Sequence, residues 1–152
     1  MDYSYKEAMK LSNQLCFPLY AAARSVTNLY TPYLRPLGVT YTQYIVFLVL
    51  WEKKSVTVGE LCDTLMLDSG TLAPLLRKMQ AAGYIERRRS EKDDRVVVIS
   101  LTESGEELQI RAKDVPRKVG SCIGLDPEKA RTLYGLLYEL MDKQNKREER
   151  ER

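Results

Sequence analysis

Apolar residues along this chain arrive in blocks, each opened or closed by a helix signal. "TYTQ" (Thr40 to Gln43) precedes the longest apolar run, "YIVFLVLW" (Tyr44 to Trp51), and "TVGE" (Thr57 to Glu60) precedes "LCDTL". Both tetrapeptides fit the capping box, in which a Thr hydroxyl and a Gln or Glu three residues later cap each other's backbone amides. Gly83, after "LLRKMQAA", has the place and type of a helix C-terminal cap. The rhythm then changes. In "YIERRRSEKDDRVVVISLT" two short runs rich in Tyr, Ile, Val and Thr flank a charged turn, which predicts a β-hairpin. Beyond it, "SGEE" from Ser104 predicts another helix start, with Pro116 interrupting or kinking that helix. "LDPEK" puts Asp126 at an N-cap and Pro127 at the first helical position, and Leu133, Leu136, Leu137, Leu140 and Met141 line one face of the helix it opens. The closing "KQNKREERER" has no apolar residue and is expected to fray.

Helices, two short capped helices in succession, a basic hairpin, then two more helices: this order predicts a winged helix-turn-helix. The fold class is mainly α with a small β-hairpin wing (α+β). The 152 residues are enough for one domain with arms for a partner subunit. Within that single domain, about 55–101 forms the DNA-binding lobe. About 8–38 and 103–145 form dimerisation helices, which are more apolar than a small DNA-binding core can absorb, and 146–152 is a charged tail.

Charge supports this division. The net charge is only +3, but from Arg77 to Arg95 there are seven basic residues against four acidic ones, so the entire excess lies in one short region. A nucleic-acid surface needs such a concentration. Other classes drop out. No apolar run approaches the roughly eighteen residues of a membrane span, and no signal peptide is evident at the start. The expected compartment is therefore the cytoplasm, where thiols stay reduced. Without histidine, and with three widely spaced cysteines (Cys16, Cys62, Cys122), there is no hydrolase triad, zinc site or disulfide framework. The scattered glycines form no phosphate loop. Neither an enzyme nor a cofactor or metal is expected.

"LDSGTLAPLLRKM" (Leu67 to Met79) is the candidate recognition helix. Pro74 suits only a first turn, which asks for a start near Ser69 to Thr71. Ser69 and Thr71 would approach phosphates and base edges in a major groove, with Arg77 and Lys78 on the backbone. The hairpin adds Arg88, Arg89, Lys92, Asp93 and Arg95. At its tip a carboxylate of Asp93 or Asp94 would hold Arg95 extended for the narrow minor groove.

On the residues alone, Cys16 has two readings. Free cysteine is among the most buried residue types, so an inert core thiol is one. The other is a reacting thiol. Ser12 could cap a helix and leave Cys16 a turn from its positive end, with Tyr20 one turn further on the same face, and Tyr30 and Tyr41 in segments that could fold back. A phenol donates a hydrogen bond to a thiolate and so favours the charged form.

The blocks "LDSGTLAPLLRKM", "KDDRVVVISLT" and "QLCFPLY … TYTQYIVFLVLWE" together resemble the MarR superfamily of dimeric winged-helix regulators, and more narrowly its organic-hydroperoxide-sensing branch, OhrR. The resemblance spans about Leu11 to Leu140. It implies a homodimeric repressor on a pseudopalindromic double-stranded DNA operator, with Asp93 and Arg95 matching the family's wing element. Cys16 matches the peroxidatic cysteine, and Tyr30 and Tyr41 match the two tyrosines that hydrogen-bond it in the dimer. Pro18 departs from the family pattern, which has alanine there, and a proline at that place could kink or restart the helix.

The resemblance implies that an organic hydroperoxide oxidises Cys16 to sulfenic acid, which then condenses with a thiol, moves the recognition helices and lowers operator affinity. The thiol is either Cys122, the candidate resolving cysteine, or a small thiol forming a mixed disulfide. Cys62 is expected to pack in the core. Three other readings stand beside this one: a MarR-type regulator governed by a non-covalent aromatic ligand with Cys16 structural, a thiol peroxidase, and a non-specific architectural DNA binder.

Overall fold

The computed structural model describes residues 4–151, with side chains described through 143. In chain order the elements are α1 (Tyr5–Ala8), a 3-10 turn (Leu11–Asn13), α2 (Cys16–Leu29), α3 (Thr31–Leu34), a second 3-10 turn (Arg35–Leu37), α4 (Tyr41–Lys53) and β1 (Ser55–Thr57). Next come α5 (Val58–Leu65), α6 (Ser69–Ala81), β2 (Ile85–Arg89), β3 (Val97–Leu101), α7 (Glu103–Ala112), α8 (Val115–Cys122) and α9 (Pro127–Glu151). The chain divides into two compact units, one ending at Val119 and the other beginning at Gly120.

In the first unit, both capping boxes form. Thr40 Oγ1 accepts from Gln43 N–H and Gln43 Oε1 accepts from Thr40 N–H, which opens α4. Thr57 and Glu60 do the same for α5. The α4 helix is the pillar of the core: Val46, Phe47 and Leu50 are wholly enclosed. Around it pack Leu61 of α5, Leu72, Leu76 and Met79 of α6, Ile85 and Ile99 of the sheet, and Leu108 of α7.

Gly83 ends α6 as expected. It sits at φ +78°, a left-handed conformation that favours glycine. Its N–H donates to Gln80 O and that of Tyr84 to Met79 O, the paired bonds of a Schellman cap.

The sheet has three strands rather than two, in the order β1-β3-β2, all antiparallel. In the wing, Ile85 faces Leu101, Arg87 faces Ile99 and Arg89 faces Val97. The added strand is only three residues long, and Val56 lies buried opposite Ile99.

One helix start differs from expectation, and the helix is interrupted before Pro116. Thr102, not Ser104, caps α7: its Oγ1 accepts from Gly105 N–H and donates to Gly83 O. Thr102 has the extended backbone an N-cap requires, while Ser104 already lies inside the helix. Pro116 falls in the first turn of α8, a separate helix, where a missing N–H costs no bond.

In the second unit, Asp126 caps α9 by accepting from the N–H groups of Glu128 and Lys129. Leu133, Leu136, Leu137, Leu140 and Met141 run along this helix, all exposed in the single chain. The backbone is helical to Glu151, and the side chains of the 146–152 tail lie outside the described residues.

Candidate functional site

Asp68 determines how the recognition helix begins. Its Oδ1 accepts from Thr71 N–H at 2.8 Å and its Oδ2 from Thr71 Oγ1 at 2.7 Å. The Thr71 side-chain bond, then its backbone bond, holds the Asp68 carboxyl below the ordinary range. Asp68 is thus a helix-positioning residue outside the expected contact set; the signal was an Asp three residues before a Thr at a helix start. With α6 starting at Ser69, Pro74 is its sixth residue and not in the first turn. The helix carries on past it, and the amide that would bond Gly70 O is absent. Ser69, Thr71, Arg77 and Lys78 are all exposed along α6.

At the wing tip, Arg88, Arg89, Lys92, Asp93 and Arg95 are exposed as well. Ser90 N–H donates to Val96 O and Val96 N–H to Asp93 O, closing the loop. Asp93 Oδ1 accepts from the backbone N–H of Arg95 at 2.9 Å. The carboxylate therefore fixes the main chain at Arg95 and not, as expected, its guanidinium. The short aspartate reaches the amide two residues ahead within the turn. The guanidinium of Arg89 is tied to the tip through Asp94 O at 3.0 Å.

The thiol region is built on α2. Cys16 is its first residue and Leu15 its N-cap. Ser12 lies in the preceding 3-10 turn and caps nothing, because the chain re-enters a helix only at Cys16. Pro18 is consequently in the first turn, where its missing N–H costs the helix no bond. Cys16 is exposed, and Tyr20, one turn along, is 62% exposed with the Arg24 guanidinium 5.8 Å from its ring centre.

Tyr30 closes the far end of α2. Its ring lies 4.9 Å from that of Tyr41 and 5.7 Å from that of Tyr44. Burial, and next the neighbouring Tyr30, push the Tyr41 phenol up from its usual value, so it stays a proton donor. Fourteen positions along a helix correspond to about 21 Å, so Tyr30 and Tyr41 cannot reach Cys16 of their own chain. Cys62 is half-buried against the core, and Cys122 is exposed.

Comparison with known proteins completes the picture. The family model of the transcriptional regulators SarA/Rot matches residues 28–110. The chain is 47% identical to the organic hydroperoxide resistance transcriptional regulator of Bacillus subtilis over 137 residues, covering 88% of this chain and 91% of that one. It is 37% identical to the regulator SarZ of Staphylococcus epidermidis, covering 85% and 87%. The solved structure of reduced AbfR bound to DNA superposes with a TM-score of 0.75 at 32% identity, covering 93% of this chain and 99% of that one. These relatives are regulators, not enzymes. With its exposed recognition helix and three-stranded wing, this chain belongs to the MarR-type winged-helix regulators of the OhrR kind, and is a DNA-binding transcriptional regulator.

Proposed function

We propose that this protein is a homodimeric repressor that leaves a pseudopalindromic operator when an organic hydroperoxide oxidises Cys16. The observation that carries the reading is the split sensor: an exposed thiol at one end of α2 and a paired Tyr30–Tyr41 donor set at the other, about 21 Å away. Only a second subunit running the opposite way brings the two together. The uncovered apolar faces agree. Met9, Leu11 and Leu15 before and at the start of α2, and Leu133, Leu136 and Leu137 on α9, are exposed in one chain. We assign dimerisation to about 8–38 and 103–145, and DNA reading to about 55–101. The Bacillus subtilis relative's name supplies the inducer class.

The chemistry balances simply. The Cys16 thiolate attacks one peroxide oxygen, the O–O bond breaks, and the alkoxide leaves and takes a proton to become the alcohol. The resulting sulfenic acid condenses with a thiol, releasing water and forming a disulfide. Cys122 is exposed and is the proposed resolving thiol; if it does not resolve the sulfenic acid, a small thiol forms a mixed disulfide instead. Tyr20, Tyr30 and Tyr41 lose their hydrogen-bonded thiolate, and the recognition helices are respaced. Such a regulator works in the cytoplasm, where reductants restore the thiol.

An open surface cleft of about 390 Å³ lined by Leu34, Arg35, Val39 and Tyr41 offers a place for a second reading, control by a non-covalent aromatic ligand. One experiment separates them. A DNA duplex selected from a random pool on the wild-type protein is titrated with cumene hydroperoxide. Wild type is expected to release it, and Cys16→Ser to bind and stay bound. Release by Cys16→Ser would remove Cys16 as the sensor.

A further inference from the structure

Three consecutive arginines, Arg87, Arg88 and Arg89, form the end of β2, and the structure gives each a different status. Strand alternation places Arg88 with Glu86 on the outer face of the wing, where their side chains are ion-paired at 2.5 Å. Arg89 is on the inner face, tethered to the tip by Asp94 O. Arg87 is also on the inner face. It is paired across the ladder with the buried Ile99 and lies two residues from the buried Ile85. Its stem is half-buried, and its Nε is shielded from solvent without any hydrogen-bond partner. Among the described residues, Arg87 is a cation that the protein has packed into place and left without a counter-charge.

Its position explains what that charge would meet. The inner face of β2 packs beside α6, the helix that reads the major groove. The wing tip beyond Arg89 belongs in the neighbouring minor groove. A major groove and the adjacent minor groove are separated by one phosphate strand, so the stem of the wing between helix and tip has to cross it. Arg87 lies on that crossing, about 6.6 Å from the core edge at Ile85 toward the tip. Arg88 points away from α6 and already has a carboxylate.

We propose that Arg87, and not the more exposed Arg88, supplies the phosphate contact of the wing stem. Its packed stem positions the guanidinium, and its terminal nitrogens meet a phosphate of the strand between the two grooves. The inference rests on the DNA-binding reading of this chain and names a residue within it.

The test is the salt dependence of binding to the selected duplex, measured on the reduced full-length protein. Each phosphate contact contributes about 0.9 to the slope of log affinity against log salt. Arg87→Met keeps the packed stem and is expected to lower that slope by about 0.9 for each engaged subunit. Between 50 and 200 mM salt it would then lose about 3.5-fold less affinity per contact than wild type. Arg88→Met is expected to lower the slope by less than Arg87→Met does, and Arg87→Lys to preserve it while binding more weakly. If Arg87→Met does not fold, Arg87→Gln serves with the same expectation. A slope lowered by Arg88→Met and not by the neutral Arg87 variants, or by neither, overturns the proposal while leaving DNA binding intact. A wild type that selects no duplex overturns both.

Discussion

The indole Nε1 of Trp51 donates to the carbonyl of Gly105 at 2.9 Å, buried, and so links the central helix α4 to the first turn of α7. That turn is pressed against the connection that follows the recognition helix. A Cβ on Gly105 would lie 2.2 Å from Tyr84 O, a backbone atom with no room to yield. The same Tyr84 carbonyl accepts from Thr102 N–H, the cap of α7.

Gly105→Ala is therefore expected to destabilise the fold by about 3 kcal/mol, the upper range of an overpacked core. At Gly59, on α5, a Cβ would find only Thr57 Oγ1 at 3.9 Å. Gly59→Ala should be neutral or stabilise by up to about 1 kcal/mol, from helix propensity. Urea denaturation of the two variants checks the contrast; equal effects would discount the clash.

The Asp68 cap has a pH signature. Its folded pKa is below its ordinary value of 3.8 because Thr71 bonds the carboxylate, first through the side chain and then through the backbone. A carboxyl lowered in the folded state stabilises the protein above its unfolded pKa and loses that contribution as pH falls through the folded one. Asp68→Ala should melt lower than wild type at pH 7, with the gap narrowing once pH drops below about 3.8. Thermal melts followed by circular dichroism across that range decide it, and a gap independent of pH would refute the cap's charge.

Tyr30→Phe and Tyr41→Phe each remove a phenol donor from the proposed sensor. A hydrogen bond to a charged group contributes about 1.5–3 kcal/mol, so Cys16 oxidation should slow by about tenfold or more, while reduced protein binds DNA as before. Burial raises the Tyr41 and Tyr44 phenols, so neither should deprotonate within the assay range up to pH 9. Stopped-flow oxidation with cumene hydroperoxide measures the rates.

Leu137→Glu puts a charge on the apolar stripe of α9. The expected result is a monomer by sedimentation, with DNA affinity greatly reduced, since a dimer reads both half-sites at once. A dimer that persists would move the interface away from this stripe.

Features with short-range causes were legible in the sequence. Thr40 with Gln43, and Thr57 with Glu60, announce helices because each pair satisfies its amides within four residues. Gly83 needs only its own backbone conformation. The misses are tertiary or a matter of register. β1 is three residues long, too short to display alternation, and it exists because β3 offers a ladder. Thr102 displaced Ser104 as a cap because Gly83 O also accepts its hydroxyl, a contact nineteen residues distant. Arg88 and Arg87 look alike in sequence, and only the strand register separates the ion-paired one from the one packed beside Ile99. For the thiol, the length of α2 that parts Cys16 from Tyr30 emerges only once that helix is seen unbroken from Cys16 to Leu29.

That unbroken span has a genetic consequence. If each working sensor borrows its sulfur from one polypeptide and its phenols from the other, damage to the two parts is not equivalent when subunits are mixed. Co-expressing a Cys16→Ser chain with a Tyr30→Phe, Tyr41→Phe chain would yield hybrids in which both lesions fall on the same sensor. The opposite sensor would be whole, and two individually crippled alleles would partly restore each other.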